Sequence, residues 1–462
     1  MTADSRRRRS STSRIRGIAA RVSESVESRL WPLPVAAIVF AVGLGILLPR
    51  IDLVLDASLP TGVDSVVFNG GAETARSVLS SIAGSLITAT SLTFSLTVVA
   101  LQLASSQASP RVLRLFARDR RVHATLAMFL GTFAYALTVL RSIRDPTDDI
   151  PGFVPRIAVT AGFVLTLISV IMLVFFLAHL AAQLRVETIL KEIHADTDKT
   201  IDLVGGSNAA APAHDRRVRI PAHKTTVTSR SSGFITSLDR DTLLSCAQSH
   251  HIVVEENRVI GENIVSGTPL AYWWPHDEDG ASSEPSAIEK AIRSAYTIGY
   301  ERTAAQDIDY GIQQIVDIGV RALSPGINDP TTAVHTLGHL SAITTRIVAL
   351  PTLPAGLADH EGQLCVITAS RSPRQAVEAA LSQMRHYGAG DPAVVTRFLQ
   401  VIDDLAHTCN NPEVHAELRV QLSALDLQIR TNTADPSATE QLLTAIRTLA
   451  LKLTAAGASE QE

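Results

Sequence analysis

The chain has 462 residues, a net charge of −4, 46% hydrophobic residues and only 19% charged ones, with a mean hydropathy of +0.19. That composition is too apolar for an ordinary soluble enzyme, and the charge gives no case for nucleic acid as a partner. Nearly all of the apolar excess lies before about residue 184, which divides the chain into a membrane half and a soluble half of about 280 residues, enough for one or two cores. Residues 1–30 form a basic cytosolic leader that contains Arg6 to Arg9, Arg14, Arg16 and Arg21. Residues 31–184 carry four expected spans, at about 33–48, 78–104, 124–140 and 157–184. The first is short enough to be the core of a secretory signal. An uncleaved anchor is the preferred reading, because LLPRIDLVLD offers no small-x-small cleavage site and Trp31 sits at an interfacial position.

The second span is the most informative. It has no charge for about 27 residues, long enough at 1.5 Å per residue to cross a bilayer with some tilt. Ser81, Ser85, Thr88, Ser91, Ser95 and Gln102 recur at helical spacing along one face. Such a face either lines water or packs against another helix. Basic residues are retained on the cytoplasmic side. The loop at 105–123 carries Arg111, Arg114, Arg118, Arg120 and Arg121 against Asp119, whereas the loops at 50–76 and 141–156 are acidic or balanced. The alternation predicts an inner-membrane protein with both termini in the cytosol. The five arginines would form a basic vestibule or contact lipid headgroups.

After the fourth span, residues 185–215 read as an amphipathic helix and a linker. Val186, Leu190, Ile193, Thr197, Ile201 and Val204 mark its apolar face. That face must pack either on the soluble part of its own chain or in a short stalk between subunits. Residues 216–275 read as a small β-rich domain with one helix over 241–250. Within it VIGENIVSGTPLAYWW resembles the closing hairpin of barrel-sandwich folds such as lipoyl domains, without a carrier lysine. Residues 286–455 read as a mostly helical domain with helices near 286–303, 307–323, 331–350, 373–387, 392–409, 412–430 and 439–453, a lone strand over 363–369, and a disordered tail at 456–462. The expected fold class is thus an α-helical integral membrane domain followed by a cytosolic α+β part.

Chemistry-bearing motifs are sparse. Cys246, Cys365 and Cys409 are widely separated, with no CxxC, and read as buried thiols in a reducing compartment. His335 and His339 share a helix face, but AVHTLGHL lacks the HExxH arrangement and no third ligand is fixed by spacing, so no metal is assigned. Asp307 and Asp309 suit a helix N-terminus better than a catalytic carboxylate pair. In RALSPGINDPTTAV a tight turn through Ser324, Pro325, Asn328 and Asp329 joins two helices and offers a candidate contact for a ligand or a neighbouring subunit, or a plain connector. There is no P-loop, dinucleotide fingerprint or catalytic triad, and no catalytic residue or cofactor is assigned.

Three separated segments, TFSLTVVALQLASSQASPRVLRLFARDR, GTFAYALTVLRSIR and RALSPGINDPTTAV, together resemble a bacterial family of predicted membrane proteins called domain of unknown function 2254. The resemblance implies a multi-span membrane protein with a cytosolic C-terminal part, and it transfers no activity or site residue. Three classes of function remain open. The first is a homo-oligomeric channel lined by the hydroxyl face and gated by the cytosolic part. The second is a membrane-anchored sensor or scaffold in which that face glues helices. A membrane enzyme is disfavoured, because the spans carry almost no ionisable residues and His179 lies near the end of its span. The lipid bilayer is the one partner expected in all three.

Overall fold

A computed structural model describes residues 31–55, 67–107, 119–145, 152–206, 220–276, 284–350, 356–359, 362–432 and 436–458. The chain divides into two compact units, Met1–Arg185 and Val186–Glu462.

The first unit holds four helices: α1 (Pro32–Leu55), α2 (Ala72–Gln107), α3 (Arg120–Leu140) and α4 (Arg156–Gln183). All four are long and apolar enough to cross a membrane. α3 is the most enclosed of them, with packing against α1, α2 and α4. Small residues let the helices approach. A Cβ at Gly45 would stand 2.9 Å from the Thr138 Cβ, and one at Gly131 would stand 3.5 Å from the carbonyl of Ala37. On the other side of α3, Leu79, Ile82 and Leu86 of α2 pack with Phe129, Tyr135 and Val139 and with Ala158 and Val159 of α4.

α1 runs past the expected end at residue 48, through Pro49 to Leu55. The reason lies in Asp52, which is buried yet fully engaged. Its carboxylate accepts hydrogen bonds from the backbone amides of Ile157 and Ala158, each at 3.0 Å, and so caps the N-terminus of α4 from another helix. The same end is tied by Tyr135, whose hydroxyl donates to the Ala158 carbonyl at 2.8 Å, by the Arg144–Phe153 bridge and by an exposed Arg76–Asp145 ion pair.

The second unit begins with α5 (Val186–Gly206), whose apolar face packs on α8 (Ile308–Ala322) and α9 (Pro330–Val348). Of the two expected arrangements, the structure has the helix docked on the second unit of its own chain. A side chain at Gly311 of α8 would overlap the hydroxyl of Thr197, so α5 lies directly on the α8 backbone there.

Two sheets follow. A five-stranded sheet has the order β1 (Thr225–Thr228), β5 (Pro269–Pro275), β3 (Ile252–Glu256), β8 (Leu364–Ile367), β7 (Gly356–Ala358), with β3 and β8 parallel. A three-stranded sheet pairs β4 (Asn263–Ile264), β2 (Gly233–Leu238) and β6 (Tyr296–Gly299). α6 (Arg240–His250) and α7 (Pro285–Ala295) pack on each other and contribute to the core around Ile235, Val254, Trp273 and Val366. Three differences from the sequence reading follow. The two halves of VIGENIVSGTPLAYWW enter different sheets, β4 beside β2 and β5 beside β1 and β3, so they do not pair as a hairpin. The strand near 363–369 is not alone, because β8 lies between β3 and β7. The helix expected over 286–303 stops at Ala295, where Tyr296, Thr297 and Ile298 suit a strand and pair with β2. The sheets therefore draw strands from beyond residue 275.

The remaining helices are α10 (Pro373–Gly388), α11 (Pro392–Thr408), α12 (Pro412–Asn432) and α13 (Pro436–Ala458), which continues into the expected tail. The starts of α8 to α11 are written in the sequence. Asp307, Asp329, Ser372 and Asp391 each accept a backbone amide at an N-cap, and Ser372 with Gln375 forms a capping box. The strand and helical segments are joined by Glu256, a carboxylate closed off from solvent that is held by Nε and Nη2 of Arg240, each at 2.9 Å, and by the Ala369 amide at 2.9 Å.

Gly311→Ala is expected to destabilise the second unit by about 1–3 kcal/mol through this overpacking, seen as a lower thermal midpoint of the purified protein. Gly326→Ala, where a Cβ meets nothing within 4 Å, should leave the midpoint unchanged.

Candidate functional site

α2 has two faces. Ala75, Leu79, Ile82, Ala83 and Leu86 are buried in the four-helix core. Ser81, Ser85, Thr88, Ser91, Ser95 and Gln102 are all exposed, turned about half a helical revolution away from that core. Among the described residues no helix of the same chain covers the polar stripe. It shares its face with the exposed Leu92, Val99 and Leu103, and a Cβ at Gly84 would meet nothing within 4 Å. Thr88 donates to the Gly84 carbonyl at 2.9 Å, whereas Ser81, Ser85, Ser91 and Ser95 make no such bond among the described residues. No charge interrupts the stripe. Chemically it offers weak donors and acceptors to water or to a matching surface.

Of the five loop arginines, Arg111, Arg114 and Arg118 lie outside the described residues. Arg120 and Arg121 are exposed and open α3. Arg121 is also part of a cluster that the sequence reading did not assemble. Asp119 caps α3 through the Arg121 amide at 2.9 Å and pairs with Nε2 of His179 near the end of α4, while the Arg121 guanidinium donates to His179 Nδ1 at 3.0 Å. Arginine can only donate, so Nδ1 must accept, and Nε2 carries the proton given to Asp119. The cluster fixes one tautomer and pins α3 to α4 at the end opposite Asp52. The separation of 60 positions between Asp119 and His179 hides it from local motif reading.

In the second unit the turn after α8 is exposed from Pro325 to Asn328, with Asn328 at φ 50°. Its backbone is satisfied internally. The Ile327 and Asn328 amides donate to the Ser324 carbonyl, the Asp329 amide donates to the Ala322 carbonyl, and the Ser324 hydroxyl donates to the Arg321 carbonyl. Asp329 caps α9 through the amide and hydroxyl of Thr332. These bonds, the Thr332 hydroxyl foremost, hold its carboxyl below the usual carboxylate value. Those bonds account for the motif as a connector, and its exposed tip presents Ile327 and Asn328 outward.

The other candidates resolve as follows. Asp307 caps α8 through the Tyr310 amide at 3.0 Å and is held bidentately by Arg302. Burial pushes the Asp309 carboxyl up, against the pull of Arg371, with which it forms an ion pair at 2.6 Å. His339 meets a residue of another helix rather than His335. Its Nδ1 lies 2.9 Å from Nδ1 of His194 on α5, a residue that the sequence reading passed over. Among the described residues there is no group of three or more His, Cys, Asp or Glu placed to hold a metal ion.

Asp329→Ala is expected to cost about 1 kcal/mol of stability through the lost cap, while Asp329→Asn, which can still accept, should cost only a few tenths. Thermal unfolding of the two variants checks this. The stabilisation by Asp329 is present above the ordinary carboxylate value of 3.8 and is lost as pH falls through the lower folded value.

The arrangement of four apolar helices followed by this mixed unit can be set beside known proteins. A family model described as predicted membrane protein, domain of unknown function 2254, matches residues 27–404. An uncharacterized protein of Mycobacterium bovis is 30% identical over 421 residues, which cover 90% of this chain and 79% of the relative. An uncharacterized protein of Mycobacterium tuberculosis matches to the same extent. No solved structure matches. With the family model covering most of its length, the chain belongs to the predicted membrane protein family called domain of unknown function 2254.

Proposed function

We propose that this protein assembles in the bacterial inner membrane as a homo-oligomer whose copies meet around the polar face of α2, enclosing a solute-conducting path. The observation that carries the reading is the exposure of Ser81, Ser85, Thr88, Ser91, Ser95 and Gln102 on a helix long enough to cross the bilayer. Four spans of one chain are too few to enclose water, and α3 already fills the middle of the unit. A path has to lie between copies. The basic residues from Arg111 to Arg121 would then stand at the cytosolic mouth, with both termini on that side. The competing reading is a sensor or scaffold in which the same face packs dry against a second copy. The hydroxyl of Thr88, already bonded within its own helix, favours that option at its position.

Cysteine scanning separates the readings. The native thiols give a quiet background. Cys246, Cys365 and Cys409 are buried, and burial raises the Cys246 thiol and pushes Cys365 up to about 11. Oxidation in native membranes should cross-link Thr88→Cys and Ser91→Cys into dimers. It should leave Phe163→Cys and Val174→Cys, on the exposed face of α4, as monomers. A membrane-impermeant thiol reagent should label several positions along the stripe if it lines water. Cross-linking with complete protection from the reagent would move the reading to the scaffold. Absence of both would overturn self-association through α2.

A further inference from the structure

α5 follows the last span directly in sequence, three residues after the end of α4, and it is held on the soluble unit by a contact that proton chemistry constrains. His194 of α5 and His339 of α9 meet edge to face, with ring centroids 5.0 Å apart and their Nδ1 atoms 2.9 Å apart. A hydrogen bond between two ring nitrogens needs one protonated and one bare. The pair can therefore accept one extra proton and keep the bond, but not two. With both rings cationic, two N–H groups would face each other at contact distance, and like charges would repel.

The surroundings decide where each proton goes. Asp198, one turn along α5, lies 3.4 Å from His194 Nε2, where it can accept that ring N–H. His194 Nδ1–H then donates to His339, which must stay neutral. Among the described residues no carboxylate forms an ion pair with His339. On α9 it has His335 one turn earlier and Arg346 beyond, and Arg346 already engages Asp198 and Asp202 of α5. On α11 the nearby charges are Arg397, 3.7 Å from where a Gly338 side chain would begin, and Asp404, which is committed to the Ser341 hydroxyl. α8 meets α5 there with Gly311 against Thr197, without charge.

We propose that the His194–His339 contact is a proton-operated latch, closed while the pair carries at most one extra proton and opened when His339 takes the second, which frees α5 from α9. Burial foremost, then His194 and His335, holds His339 below its ordinary value of 6.5, in agreement with this geometry. The sign follows directly. The docked state binds fewer protons than the undocked one, so docking is strongest above about 6.5 and weakens as pH falls below it. The latch does not depend on the α2 reading, because it lies wholly within the second unit.

Hydrogen exchange of the full-length protein in lipid nanodiscs tests it, with α5 followed from about pH 7.5 down to about pH 5 and each rate divided by the intrinsic rate of that amide. Each profile is recorded with and without EDTA. Protection of α5 should fall by up to about tenfold per pH unit below about 6.5. In His339→Gln and His194→Gln, which keep a hydrogen-bonding side chain but cannot titrate, the profile should be flat. Unchanged protection in the wild type, or the same loss in both variants, would overturn the latch. If glutamine fails to hold α5 at any pH, wild-type protein with isotope-labelled histidine decides: His339 protonation coincident with the loss of protection supports the latch, and protonation without it overturns it. A pH profile seen only without chelator would replace the proton with a bound metal.

Discussion

A polar group that meets hydrocarbon without a partner costs several kcal/mol, and most buried polar groups of the membrane unit are met by a partner, with Thr93 Oγ1 and His123 Nε2 as exceptions among the described residues. Asp52 is tolerated at the end of α1 because two amides at the start of α4 need an acceptor and its carboxylate serves both. Tyr135 is tolerated in the core because the Ala158 carbonyl takes its hydroxyl. Thr90, Thr97, Thr138 and Thr166 return their hydroxyls to carbonyls one turn back. Against this pattern, the line of exposed, unbonded serines on α2 stands out. In lipid such a line brings no benefit, and against water or another copy it does. That contrast, more than the count of hydroxyls, is what points from a helix bundle toward an assembly.

The second unit obeys a related rule with different means. Its carboxylates with little or no exposure are each met by arginine: Glu256 by Arg240, Asp307 by Arg302, Glu417 by Arg374. Removal of one partner would strand a buried charge, so these pairs fix which segments lie together more than they add net stability. They leave α5 as the element held by softer contacts. Its apolar face, the Thr197–Gly311 approach, the exposed Arg346 pairs and the histidine pair hold it on α8 and α9, with Thr200 donating to the Ala304 carbonyl just before α8. A helix that continues from the last span and rests on a titratable contact is a natural point of control.

Hydropathy and capping made much of this architecture legible in the sequence. Four apolar runs gave the four helices, and the Asp-Pro and Ser-Pro starts gave α9, α10 and α11, since caps and N-terminal prolines are local signals. The end of α1 was missed because Asp52 reads as a loop residue until its partners 105 and 106 positions away are known. The β strands were largely visible as segments, but their partners were not. β8 joins β3 across more than 100 residues, and no periodicity encodes that pairing. The candidate face of α2 was legible as a stripe because helical spacing is local. Its exposure depends on which side α3 takes. The His194–His339 pair spans 145 residues, and the helix face bearing His335 and His339 gave only half of it.

In the proposed assembly the α2 face is covered by other copies of this chain. The most direct test is the mass of the protein extracted with its surrounding lipid, without detergent exchange, and weighed particle by particle. The account predicts that closed oligomers dominate, and that charged substitutions at Ser85 and Ser91 break them into single chains. A wild-type population of single chains across the working concentration range would contradict it, and would leave the polar stripe facing lipid.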